Sequence, residues 1–168
     1  PGFANRLLSR LAAEAAVAFD ETAASLRCPA HATGIPIRAE FFAIPEGLPA
    51  APPWRLLVLG GSQGAQQLNQ ALPAALSRVA AALDGGLEVL HQAGEDHLES
   101  TREAYRQAVG EGSPQLSVEV TPFLDDVAAA MAGSHLLVSR AGAITLAEIC
   151  AAGRPSLLIP LSLAGGHQ

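Results

Sequence analysis

Lysine is absent: all ten basic residues of the 168 are arginine. That absence removes a P-loop lysine, a Schiff-base lysine and a Ser–Lys dyad from the candidate chemistries at once. The arginines are scattered along a chain of formal charge −6. No basic stripe exists to neutralise a nucleic-acid backbone or an anionic bilayer, so nucleic acid is not an expected partner. Aromatic residues are few, with one Trp, one Tyr and five Phe, and Ala, Leu and Val carry the apolar share. No apolar run approaches the ~18 residues of a membrane-spanning helix, which predicts a soluble globular chain. The two cysteines, Cys28 and Cys150, have neither CxxC nor Cys/His metal spacing, so buried free thiols in a reducing cytoplasm are expected. No secretory signal, internal repeat or low-complexity tract is visible. The sequence begins at Pro1, has Met131 as its only methionine and ends at Gln168 after Gly-Gly-His, which reads as a piece of a longer protein.

What is present is an alternation. From Leu56 onward, short apolar runs rich in β-formers alternate with Ala/Leu-rich amphipathic stretches, the pattern of a parallel sheet with helices on both faces. Strands are predicted at Arg55–Leu59, Leu87–His91, Leu116–Val120, His135–Ser139 and Ser156–Ile159. Helices are predicted at Ala65–Leu83, Asp96–Val109, Leu124–Ala132 and Ile144–Ala152, with a kink or restart near Pro73, which lacks a backbone donor. Residues 1–33 read as a helix over Ala4–Glu14, a short strand over Ala16–Phe19, another short helix and a strand near His31–Thr33, too few elements for a core of their own. Residues 34–53 hold Gly34, Pro36, Pro45, Gly47, Pro49, Pro52 and Pro53 and read as an inter-domain linker. The fold class is therefore α/β, with a Rossmann-like doubly wound parallel sheet over residues 54–168.

Two strand-to-helix turns carry the chemistry. In Leu57-Val-Leu-Gly-Gly-Ser-Gln-Gly-Ala65 a strand runs into glycines that let the backbone approach a ligand, and the helix that follows offers free N–H groups to phosphate oxygens. Such turns also serve tight packing alone. The same run fits a G-x-S-x-G nucleophile elbow built on Ser62, with Asp125 or Asp126 and His135 or His167 completing the hydrolase chain order. Against that reading, the elbow would follow the first strand of its domain and leave no earlier strand and loop to complete an oxyanion hole. The second turn is Leu137-Val-Ser-Arg-Ala-Gly-Ala-Ile-Thr-Leu-Ala-Glu148. There Thr145 can cap backbone donors and Glu148 can accept from vicinal ribose hydroxyls, the plainer alternative for Glu148 being a solvated helix carboxylate. Both turns follow parallel strands and so meet at the C-terminal edge of the sheet, where open α/β folds bind ligands. His31, His91, His97 and His135 show no metal spacing and are assigned no chemistry.

The runs Gly60-Gly-Ser-Gln-Gly-Ala65 with Leu68-Asn69, Phe123-Leu-Asp-Asp126, Ser139 to Glu148, Gly153-Arg-Pro-Ser156 and His167-Gln168 resemble the MurG family of GT-B glycosyltransferases in order and spacing. Pro1 to Arg6 and Thr33 to Arg38 resemble that family's domain junction. The resemblance implies the C-terminal half of a GT-B enzyme, with 1–33 the end of the N-terminal acceptor domain, 34–53 the linker, and 54–168 the donor domain, truncated at its C-terminal end. It implies inverting transfer of N-acetylglucosamine from UDP-N-acetylglucosamine to a lipid-linked acceptor in peptidoglycan synthesis, without cofactor or metal. The full-length protein would be peripheral on the cytoplasmic face of the inner membrane. By the same resemblance, Arg38 and Ser62 face the diphosphate, the backbone at Leu124 the uracil, Ala143, Ile144 and Thr145 the α-phosphate, Glu148 the ribose and Gln168 the sugar, with Leu146 and Ala147 between. The family's linker motif has Asn where this chain has Ile35. The acceptor domain is nearly all missing, so no catalytic base is assigned; a non-catalytic nucleotide-sugar-binding module is the remaining alternative.

Overall fold

A computed structural model describes residues 1–61, 65–109 and 115–160. The chain forms two compact units, residues 1–38 and 39–168. In the first, α1 (Phe3–Leu8) precedes β1 (Ala15–Val17), α2 (Asp20–Ala23) and β2 (Ala30–Ala32), and β1 and β2 pair in parallel. The opening helix stops at Leu8 instead of running to Glu14. Ser9 ends it by donating its hydroxyl to the Arg6 carbonyl at 2.8 Å while accepting from the Arg27 N–H at 3.1 Å. These are the side-chain-to-backbone bonds that compete with helix continuation.

The second unit opens with α3 (Ala39–Phe42) and continues as β3 (Trp54–Leu59), α4 (Gln66–Ala82), β4 (Leu87–Gln92), α5 (Leu98–Val109), β5 (Leu116–Thr121), α6 (Val127–Ala132), β6 (Leu136–Arg140), α7 (Ala143–Ala152) and β7 (Ser156–Ile159). Among the described residues its five strands are all parallel, as predicted, and stand in the order β5-β4-β3-β6-β7. Helices α4 and α5 pack together, as do α6 and α7. The central strand β3 supplies Leu56, Leu57, Val58 and Leu59, all buried, a continuous apolar run rather than an alternating one because both faces of a doubly wound sheet are covered.

Three local expectations change. Helix α4 passes through Pro73 without a restart, and the proline is itself buried. Packing outweighs the single missing N–H bond. Helix α6 starts at Val127 rather than Leu124, because the Asp126 carboxylate accepts from the Ala129 N–H at 2.8 Å and makes Asp126 the N-cap. Asp126→Ala is expected to lose about 1 kcal/mol of stability, readable as a small drop in the denaturation midpoint. Neither cysteine is buried: Cys28 is half-buried and Cys150 exposed, both free thiols.

Residues 39–53, read from the sequence as linker, are packed within the second unit. Phe41 is fully buried, and a Cβ on Gly85 would collide with the Pro52 ring. His135 accepts at Nδ1 from the Arg55 N–H (2.9 Å) and therefore donates from Nε2 to the Pro49 carbonyl (3.1 Å). Arg154 holds the Pro45 and Gly47 carbonyls. Among the described residues no helix is long and apolar enough to cross a membrane.

Candidate nucleotide-binding site

The chain reverses its direction of progress across the sheet between β3 and β6: from β3 it proceeds outward to β4 and β5, and from β6 to β7 on the other side. At such a switch point the two loops leave the strands' carboxyl ends in opposite directions and open a crevice. Register fixes the pairing at its floor, with Leu59 beside Ser139, so the turns after Leu59 and Arg140 stand next to each other. A cleft of about 410 Å³ lies there, with Gly60 and Gly61 on one side, Arg140 to Gly142, Thr145 and Glu148 on another, and Gln92 and Val127 closing it.

Each wall has a physical cause. Gly61 has φ 78°, a left-handed conformation that strains any residue with a Cβ. The first intrahelical bond of α7 runs from the Leu146 N–H to the Gly142 carbonyl at 2.8 Å. The N–H groups of Ala143, Ile144 and Thr145 therefore precede the helical ladder, and no side chain caps them. Free donors and the positive end of the helix dipole make this terminus an anion site. Thr145 and Glu148, three residues apart, share the helix face that lines the cleft. The arrangement can hold a diphosphate at the α7 terminus with a hydroxyl-bearing ring against the Glu148 carboxylate.

Of the residues singled out in the sequence, Thr145 and Glu148 line this cleft, and Ala143 and Ile144 stand at the free helix terminus. Leu146 and Ala147 continue α7 outside the lining. Leu124 lies half-buried between β5 and α6, just ahead of the Val127 wall. Arg38 ends the first unit. Ser62 and Gln168 lie outside the described residues. The hydrolase arrangement through His135 does not form: His135 precedes β6 at the amino end of the sheet, whereas the glycine turn follows the carboxyl end of β3. Five strand residues separate those ends by roughly 16 Å, and Asp126 is occupied by capping. Gln92 and Val127 escape a reading of the sequence, because the predicted strand ends at His91 and nothing local marks Val127.

A parallel sheet with a crevice at its switch point, rimmed by glycine turns and a free helix terminus, defines a Rossmann-like domain. The chain belongs to the glycosyltransferase family 28 C-terminal domain family, whose profile matches residues 55–168. It is 44% identical over 169 residues to a UDP-N-acetylglucosamine–N-acetylmuramyl-(pentapeptide) pyrophosphoryl-undecaprenol N-acetylglucosamine transferase of Sorangium cellulosum, covering 99% of this chain and 40% of that protein. It is 46% identical to the protein of the same name in Pseudomonas fluorescens, covering 99% of this chain and 45% of the relative. The crystal structure of Acinetobacter baumannii MurG superposes with a TM-score of 0.65 at 30% identity, covering 98% of this chain and 44% of that one. The chain thus spans 40–45% of the length of these curated relatives. Its fold is that of the C-terminal half of a GT-B glycosyltransferase.

Proposed function

We propose that this chain is the donor-binding part of an enzyme that transfers N-acetylglucosamine from UDP-N-acetylglucosamine to the lipid-linked N-acetylmuramyl-pentapeptide precursor of peptidoglycan. The observation that carries this reading is the uncapped α7 terminus opening into the same cleft as Glu148 and the Gly60–Gly61 turn. The printed activity of relatives at 44–46% identity supports the choice of donor and acceptor. Residues 1–33 would be the end of an acceptor domain and 54–168 the donor domain. The lipid-linked acceptor and the cytoplasmic face of the inner membrane would be met through residues of the longer protein.

In this reading the reaction is an inverting displacement. An acceptor sugar hydroxyl attacks the anomeric carbon, its proton passes to a base in the acceptor domain, and the carbon–oxygen bond to the diphosphate breaks as UDP leaves. Negative charge grows on the leaving diphosphate. The N–H groups of Ala143 to Thr145 are already oriented toward that charge and need no reorganisation as it develops, which is where preorganised donors lower a barrier. Arg140, beside them in the cleft, adds a positive charge. Arg38 and Ser62 belong to the diphosphate, the backbone at Leu124 to the uracil, Glu148 to the ribose hydroxyls and Gln168 to the sugar.

Calorimetric titration with UDP-N-acetylglucosamine, UDP, UDP-N-acetylgalactosamine and ADP-glucose tests the reading. The expected order favours uridine and the N-acetylglucosamine epimer. Glu148→Ala removes a charged acceptor from two hydroxyls and is expected to weaken UDP binding by about 10- to 100-fold. Equal affinity for UDP and ADP, or a Glu148→Ala variant that binds as the parent does, would sink the assignment.

A further inference from the structure

The loop that joins β5 to α6 spans residues 122–125 and leaves the carboxyl edge of the sheet just ahead of Val127, which lines the cleft. It is short and held at both ends. At its start the Thr121 carbonyl accepts from the Ala93 N–H at 2.9 Å, which ties it to the end of β4, and the ring of Pro122 fixes its own φ. At its end the Asp126 carboxylate accepts from the Ala129 N–H at 2.8 Å. Between these anchors the Thr121 hydroxyl reaches past Pro122 and donates to the Phe123 carbonyl at 2.7 Å.

That bond fixes more than an oxygen. The Phe123 carbonyl and the Leu124 N–H belong to one peptide unit, which is planar and trans, so the two groups point in opposite directions. Holding the oxygen toward Thr121 therefore aims the Leu124 N–H away from Thr121 and keeps it there. A carbonyl that accepts a hydrogen bond also polarises its own peptide unit and strengthens the N–H as a donor. Leu124 is half-buried, yet among the described residues neither its N–H nor its carbonyl has a hydrogen-bond partner. The strand itself has no need of the hydroxyl: Val118 and Val120 supply branched side chains to β5 without one, and a valine at position 121 would serve the sheet equally.

We propose that Thr121 is a positioning residue for base recognition, its hydroxyl holding the Phe123–Leu124 peptide so that the Leu124 N–H stands ready to donate to the 4-carbonyl oxygen of uracil. This rests on the donor-binding reading above, in which the main chain at Leu124 meets the uracil, and deepens it by naming the group that orients that main chain. Uracil carries an acceptor oxygen where cytosine carries an amino donor, so an N–H fixed in direction bonds the first and opposes the second. A peptide already turned the right way does not have to be ordered at the moment of binding. Thr121 acts through the main chain and touches no part of the ligand.

Thr121→Val keeps the branched shape and removes the hydroxyl. By calorimetry this variant is expected to bind UDP about fivefold more weakly, with CDP affinity changed by less than about twofold, so that the preference for UDP over CDP shrinks by a similar factor. Thr121→Ala removes the same hydroxyl and carries the same expectation where valine does not fit. Thr121→Ser restores the donor and is expected to return both affinities to within about twofold of the parent. A purely structural role would weaken UDP and CDP alike. An unchanged UDP-to-CDP ratio in the valine and alanine variants overturns the proposal, as does a serine variant that behaves like the valine one. A parent chain that binds neither nucleotide, or both equally, removes this inference together with the donor-binding reading. A parent chain that prefers UDP and keeps its full preference after loss of the hydroxyl removes this inference alone.

Discussion

Replacing Arg154 by Met is expected to destabilise the second unit by about 3–4 kcal/mol and to lower its melting temperature by about 10 °C. The residue is 7% exposed, and its guanidinium is enclosed by main-chain carbonyls. Nε donates to Met131 (3.1 Å), Nη1 to Gly47 (2.6 Å), and Nη2 to Pro45 and Ala132 (both 3.3 Å). Two of those oxygens close the last turn of α6, where a cation is favoured by the exposed carbonyl ends, and two belong to the segment that leads into β3. Methionine fills much the same volume and leaves all four acceptors without that donor. Charge-assisted bonds contribute about 1.5–3 kcal/mol each when isolated, and water reaching the more open pair recovers part of the loss, which keeps the sum near the stated figure. Arg154→Lys is expected to recover less than half, since a point ammonium cannot span acceptors arranged around a planar fork. Trp54, the single tryptophan, stacks edge-on against His135 at 5.2 Å in this unit, so tryptophan fluorescence reports its unfolding directly. A loss below about 1 kcal/mol would mean that the carbonyls are served as well by water.

That clamp also shows where the sequence could and could not be read. The central strands β3 and β6 were legible as near-continuous apolar runs because both of their faces are covered, and the edge strand β5 by its alternation of apolar and polar residues; the Val, Leu and Ile content of the strands separates them from the Ala-rich helices. The two turns were legible because a glycine-rich strand end opening a helix has few other uses. Glu148 stood out by its distance from Gly142, which helical periodicity converts into a shared face with Thr145. The segment 39–53 was not legible in the same way. Its prolines and glycines are local signals and speak for a linker, whereas its attachment comes from Arg154 and His135, roughly 90 to 110 residues further along the chain. The overlong first helix failed similarly, its end being set by Ser9 meeting Arg27, 18 residues away. Gln92 carries no local mark at all. A glutamine at a strand end becomes a site residue only when β3, α6 and α7 are known to surround it.

The buried histidine offers the clearest test of long-range packing, because its effect changes with pH. Asn69 Oδ1 can only accept, so His91 must donate to it from Nε2; Nδ1 is then the bare nitrogen, and Tyr105 donates its hydroxyl there. The ring is thus satisfied in its neutral form. Burial lowers its pKa from 6.5 to about 4 and pushes the Tyr105 phenol up, both in the direction that keeps the pair uncharged. Below pH 6.5 the unfolded chain binds a proton that the native ring refuses until about pH 4. Stability is therefore intact above 6.5, falls as the pH drops through that window, and is fully lost to this group below about 4. Each pH unit inside the window removes about 1.36 kcal/mol, so the expected loss between pH 7 and pH 4.5 is about 2.5 kcal/mol. His91→Gln cannot titrate there. It is expected to be less stable than the parent at pH 7 by about 1–3 kcal/mol through imperfect partners for Asn69 and Tyr105. The gap should then close as the pH falls to 4.5, since carboxylates elsewhere titrate alike in both proteins. Urea denaturation followed by Trp54 fluorescence at the two pH values measures the difference directly. Parallel pH dependences in parent and variant would place the acid sensitivity of this fold in its carboxylates and not in the His91 ring.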